Sequence, residues 1–145
     1  VLSFTTEEII ELAEKNKKTS IHEETFPEIP DSWKNEALYK KWEKLLVIRQ
    51  RVNVAIEEKR SNKVIGSSLE ADVEISLSKS DFDLLKEIDS EELFITSRVT
   101  QNIFKEKENG LTVAVKKASG TKCIRCWKIV AKVKENKCSR CFKIK

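Results

Sequence analysis

The run KCIRCWKIVAKVKENKCSRCFKIK, residues 122–145, constrains this chain more than any other. Its two Cys-x-x-Cys pairs, Cys123/Cys126 and Cys138/Cys141, are separated by eleven residues. A Cys-x-x-Cys loop turns both sulfurs to one side, and two such loops complete a tetrahedral four-sulfur shell around zinc. The gap is shorter than the roughly 15–20 residues of one common ribbon pattern. WKIVAKVKENK still accommodates a strand, a turn at Glu135-Asn136-Lys137 and a return, so the spacing predicts a tight zinc-ribbon-like module holding one structural Zn2+. Lys122, Arg125, Lys128, Lys137 and Arg140 offset the negative charge of four thiolates around one zinc and depress the thiol pKa values. With few apolar residues, such a module draws much of its stability from the metal. Two disulfides, a redox pair and an iron–sulfur cluster are the alternatives for the same cysteines. A redox centre needs one reactive pair and a βαβ setting, which is missing here.

Compartment bears on the choice. No apolar run approaches the roughly 20 residues of a membrane span. VLSFTTEEIIEL at the start carries acids where a signal peptide needs an apolar stretch. A cytoplasmic, reducing setting is therefore expected, which disfavours disulfides. The chain opens on Val1 and contains no Met, so it is expected to be a piece of a longer protein. Its hydrophobic content of 39% and charged content of 36% fit one globular domain, or one plus a small metal module. The net charge of +4 hides an asymmetry. Residues 1–115 carry 17 Lys/Arg against 23 Asp/Glu, whereas residues 116–145 carry 11 Lys/Arg and a single acid, Glu135. A patch so basic takes a polyanion as partner.

Upstream, residues 6–18 read as a helix, with Thr6 as cap, Glu7, Glu8 and Glu11 early and Lys15, Lys17 and Lys18 late, in keeping with the helix dipole. Pro27 and Pro30 make SIHEETFPEIPDS an extended connector. Asp31 or Ser32 then caps a long helix over 33–62, whose Leu38, Trp42, Leu45, Val52 and Ile56 form one stripe. It ends near Ser61–Lys63, and Gly66 marks the break. Leu69, Ala71, Val73, Ile75 and Leu77 alternate with polar residues, the pattern of a half-buried strand. SKSDFDLLKEID reads as a short helix capped by Ser80. LFITSRVTQ and LTVAVKK read as two more strands, the second after an Asn109-Gly110 turn. The fold class is α+β: helices, a small mixed α/β region with a mainly antiparallel sheet, and the terminal zinc module.

Three stretches carry a family resemblance. SIHEETFPEIP (20–30), LLVIRQRVNVAIEEKRSNKVIGSSLEADVEI (45–75) and KCIRCWK with KCSRC (122–141) together resemble the C-terminal end of bacterial-type isoleucyl-tRNA synthetases, class I ligases. The resemblance implies that residues 1–66 end a helical anticodon-binding bundle, 67–117 form a junction α/β domain and 118–145 the zinc module near the tRNA anticodon. The implied partners are isoleucine tRNA and the rest of the synthetase chain, in a monomer. Residues 79–110 have no pattern that matches the family. His-Ile-Gly-His, Lys-Met-Ser-Lys-Ser, the Rossmann core and the editing domain are missing, so no catalytic residue is assigned and this stretch alone is not expected to activate isoleucine with ATP.

Within that frame the candidate RNA contacts are Arg125 and Arg140, at equivalent places inside the two loops, where guanidinium groups read base edges or phosphates. Trp127 is either the core plug of the module or an exposed platform for an unpaired base. Lys116, Lys117, Lys122, Lys128 and Lys132 are candidate phosphate neutralisers. Arg49, Arg51, Lys59 and Arg60 on the long helix are candidates for the anticodon stem, against the ordinary fate of solvated helix cations. Trp33 and Trp42 read as core, and His22 as local packing or a cap. Two other readings compete: a nucleic-acid-binding finger from a DNA-repair glycosylase, which lacks its acidic N-terminus and helix–two-turn–helix here, and a structural ribbon for protein contacts.

Overall fold

A computed structural model describes residues 2–14, 19–104 and 110–144, which group into two compact units divided at Asn35/Glu36. In the first unit, helix α1 spans Ser3–Ala13 and is followed by single 3-10 turns at Ile21–Glu23 and Asp31–Trp33. The helix begins three residues before Thr6, whose hydroxyl donates instead to the carbonyls of Leu2 and Ser3. Lys15, Lys17 and Lys18 lie outside the described residues. Glu7 ties the connector to the helix by accepting from Ser20 Oγ at 2.9 Å and from the Ile21 amide at 3.2 Å. His22 donates from Nε2 to the Ser3 carbonyl at 2.9 Å, a local packing role. No described residue of this unit is buried, and Trp33, expected in a core, is 75% exposed.

The second unit is built on α2, Glu36–Ser61. Its buried stripe is Leu45, Ile48, Val52 and Ile56, one helical face at three- and four-residue steps. Leu38 and Trp42, the N-terminal end of the expected stripe, are 48% and 42% exposed, because among the described residues the core packs against the later turns only. Lys63 closes the helix in a left-handed conformation (φ 57°), with Val64 N–H bonded to Lys59 and Lys63 N–H to Arg60, a Schellman stop without glycine.

Strand β1, Ala71–Leu77, is the centre of a three-stranded sheet ordered β2-β1-β3, with β2 at Arg98–Ile103 and β3 at Thr112–Lys117. Ala71, Val73, Ile75 and Leu77 are buried, and together with the α2 stripe, Ile65, Leu85, Phe94 and Val115 they make the core. β1 pairs antiparallel with β3 but parallel with β2, Val73 opposite Val99. The sheet is therefore mixed rather than mainly antiparallel. A parallel pair requires a crossover, which two helices supply: α3 (Lys79–Lys86) and α4 (Ser90–Phe94). Ser78, not Ser80, caps α3, accepting from the Asp81 amide. Leu93 and Phe94, expected at the start of a strand, instead end α4, which Asp89 caps through the Glu92 amide. Asn109 of the expected turn lies outside the described residues. No helix among the described residues is long and apolar enough to cross a membrane.

Candidate metal centre and nucleic-acid interface

After β3 the chain enters a two-stranded hairpin, β4 (Thr121–Lys122) against β5 (Ile129–Val130). Gly120 makes this close approach possible. Its φ is 134°, and a Cβ there would stand 2.3 Å from the Val130 carbonyl oxygen. The first Cys-x-x-Cys loop lies between the two strands, closed by Cys123 N–H to Lys128 O and Trp127 N–H to Cys123 O, both 2.9 Å. A two-residue turn at Glu135–Asn136 follows, with φ 49° and 60° and reciprocal 2.9 Å bonds between Lys134 and Lys137. Paired left-handed residues are the signature of a type I′ turn, here where the sequence expects the chain to reverse. The second loop opens helix α5, Ser139–Lys143, whose cap is Cys138, its sulfur accepting from the Cys141 amide.

This route brings all four sulfurs within 4.8 Å of one another, with Cys126 and Cys138 Sγ 3.7 Å apart. A tetrahedral thiolate shell with bonds of about 2.3 Å has edges near 3.8 Å, so the donor set fits a four-coordinate metal. All four cysteines are free thiols. The two loops aim N–H groups at the sulfurs: Cys138 N–H donates to Cys123 Sγ at 3.3 Å. Backbone N–H donation at Cys126, then at Cys138, brings Cys123 down from 9.0 to about 6 against the opposing effect of burial. The Cys141 amide likewise lowers Cys138. Cys141 is pushed up to about 12 by burial, reinforced by hydrogen bonds with Cys138, Cys126 and Cys123. Cys123 and Cys138 are thus shifted toward the thiolate form that metal binding requires, and Cys141 toward the thiol.

Trp127 is no core plug. Its side chain is 60% exposed, with Lys122 Nζ 5.7 Å from the ring centroid. It also sits in the left-handed region at φ 64°, a conformation costly for a bulky residue and cheap for glycine. Arg125 turns back to the Ile144 carbonyl at 3.0 Å. Arg140 pairs with Glu92 at 3.2 Å, both side chains well exposed. Lys128 pairs with Glu91 at 3.0 Å and is largely buried. The other candidates spread over the unit: Lys116 is exposed 3.9 Å from Asp72, Lys117 shares an open groove with Arg60 and Lys63, and Arg60 pairs with Glu57 at 2.7 Å. Lys59 is half-buried and Arg51 and Lys132 are exposed. Arg49 donates from Nε to the Leu93 carbonyl at 3.0 Å, tying α2 to α4.

Residues 1–75 match a family described as the anticodon-binding domain of tRNA ligase. The chain belongs to the anticodon-binding domain family of tRNA ligases. Among curated relatives, this family member is similar to the isoleucine–tRNA ligase of Pelagibacter ubique, 46% identical over 129 residues and 89% of the chain. The isoleucine–tRNA ligases of Agrobacterium fabrum and Geobacter sulfurreducens are 40% and 36% identical over 92% and 88% of it. The chain spans only 14–15% of the length of these relatives.

Sequence reasoning missed Ser97, Glu91 and Glu92. Ser97 Oγ accepts from the Ile129 amide at 2.6 Å, joining the cysteine module to the sheet, and Glu91 and Glu92 pair with its cations. The usable signal was Asp89-Ser90-Glu91-Glu92, an N-cap followed three residues later by Glu, which announces a helix start.

Proposed function

We propose that this chain is the C-terminal tRNA-binding part of an isoleucine–tRNA ligase, in which a zinc-held module contacts the anticodon region of isoleucine tRNA. The observation that carries this reading is the likeness to isoleucine–tRNA ligases over about nine-tenths of the chain. The exposed Trp127 on the basic, cysteine-clamped module supports it. In this reading residues 1–66 end the anticodon-binding bundle, 67–117 form the junction and 118–145 the metal module, and α2 also serves the junction's core. The four cysteines hold Zn2+, which supplies rigidity rather than reactivity. Trp127 stacks on an unpaired base, a contact available in the anticodon loop. Arg125, Arg140 and Lys122 take phosphates or base edges nearby, and Lys116, Lys117, Arg51 and Arg60 add charge further along the RNA. Lys128 and Arg49 bond to partners within the chain in part-buried settings and are left out of that set. The longer protein joins isoleucine to its tRNA with ATP, as a cytoplasmic monomer whose catalytic machinery lies outside these residues.

The test is competition binding of the metal-loaded chain with isoleucine tRNA and with the same tRNA carrying a changed anticodon. The reading expects a clear preference for the isoleucine anticodon. Equal affinity for both would reduce the module to a nonspecific basic tail. Because Arg125 and Arg140 have partners within the chain, a structural ribbon is the rival reading, and no tRNA binding at all would favour it.

A further inference from the structure

Among the described residues, the cysteine module and the α/β unit do not share a core. Among the described residues of the module Ala118, Cys123, Cys138 and Cys141 are buried; the three cysteines, with Cys126 and Val130 packed on them, form their own cluster, and none of these belongs to the cluster around α2 and β1. Apolar burial, which fixes most element orientations, is therefore not what sets the attitude of the module on the sheet. Polar contacts take its place, beginning with Ala118 N–H to the Glu70 carbonyl at 2.7 Å where the chain leaves β3, and continuing with a set from one short stretch. Ser97, only 7% exposed, has a hydroxyl that donates to the Leu69 carbonyl and accepts from Ile129 N–H at 2.6 Å. One hydroxyl thus grips the entry to β1 and the β5 strand of the hairpin together. Lys128, next to Ile129, sits at 3.0 Å from Glu91, the lysine side chain 19% and the glutamate 40% exposed, and its own carbonyl accepts from Cys123 N–H. Arg140–Glu92 differs: both side chains are about three-fifths exposed, so water and salt screen the pair and little is lost on opening it.

We propose that Ser97 and the Glu91–Lys128 pair are positioning residues, a latch that fixes the orientation of the metal module on the sheet, while Arg140 is a releasable arm that an RNA phosphate draws away from Glu92. The second half rests on the tRNA-binding reading above; the latch itself does not. The division follows from burial. A part-buried hydrogen bond is screened less than an exposed pair, and breaking the Ser97–Ile129 bond strands a part-buried amide. An exposed Arg–carboxylate pair exchanges its acid for a phosphate at little cost and keeps the same fork geometry.

The experiment uses the intact, metal-loaded chain, with hydrogen exchange read at the Ile129 and Cys123 amides, metal content measured in parallel, and isoleucine tRNA affinity measured on the same samples. Ser97→Ala should speed exchange at Ile129 by roughly tenfold, the scale of one lost shielded bond. Metal should be retained and core amides unaffected, and Ser97→Thr should restore protection. Glu91→Lys and Lys128→Glu should each speed exchange. The double swap, whose net charge equals that of the parent, should return it to the parent rate and recover tRNA affinity with it. Glu92→Gln should leave exchange unchanged and raise tRNA affinity about two- to threefold by freeing Arg140. Unchanged exchange in Ser97→Ala and in both single charge variants would overturn the latch. Accelerated exchange in a chain that binds no isoleucine tRNA would leave the latch standing and overturn the tRNA-binding reading, and tRNA affinity unmoved by Glu92→Gln would overturn the releasable arm.

Discussion

Trp127 brings together two costs that a purely structural residue would avoid. It presents a large aromatic surface to water, and it holds a left-handed backbone that glycine occupies freely. Strain of this kind persists where surrounding structure imposes it and concentrates at functional sites. Trp127→Gly should therefore stabilise the metal-loaded module by about 0.5–1 kcal/mol, measured by chelator-induced unfolding, while weakening RNA binding. A loss of module stability would show that the indole holds the fold. The cysteines make a separate prediction. The folded value of Cys123, about 6, lies below its ordinary 9.0, so its contribution to the metal-free fold is full above pH 9 and is lost as pH falls through about 6. Cys141 is raised, to about 12, so it enters the metal-free site protonated. Metal uptake at pH 8 should release at least one proton per ion, read by calorimetry in two buffers of different ionisation enthalpy. Uptake with no proton released would contradict that protonation pattern.

At the scale of elements, the helix period of α2 and the alternation of β1 are legible in the sequence, because one face of each is buried and the other wet. The four-cysteine cluster is legible for a different reason: Cys-x-x-Cys spacing dictates sulfur geometry almost without reference to the rest of the chain. What escaped depends on partners distant in sequence. Leu93-Phe94-Ile95 has strand-like composition, but the Asp89 cap and burial of Phe94 make it the end of α4. That helix in turn makes β1 and β2 parallel. The tie between Ser97 and Ile129 joins residues 32 apart, and no local pattern announces it. Trp42 has the right spacing for the α2 stripe and yet lies half-exposed, since periodicity gives a face and not its partner. Gly120 concentrates the dependence of the hairpin on backbone geometry. Gly120→Ala places a Cβ 2.3 Å from the Val130 carbonyl at a φ of 134°. It should destabilise the hairpin by about 1–3 kcal/mol, seen as weaker metal retention against a chelator with the α/β core still folded. Retention equal to the parent would mean that the hairpin entry is looser than its geometry.

For the molecule as a whole, the basic charge and the four-cysteine cluster lie on one module. The acidic balance of residues 1–115 and the basic balance of 116–145 concentrate attraction for a polyanion on the module the cysteines hold. Affinity for tRNA should fall linearly on a log–log plot against salt. Removing the metal should weaken binding further, because the cations would no longer share one orientation. A salt-independent affinity, or one indifferent to chelation, would remove the module from the interface. The most direct measurement is the affinity of Trp127→Ala for isoleucine tRNA with zinc content determined on the same preparation. Stacking on one base is worth about 1–3 kcal/mol, so the account predicts a loss of roughly five- to 150-fold at unchanged zinc content. Parent-like affinity at full zinc occupancy would contradict it.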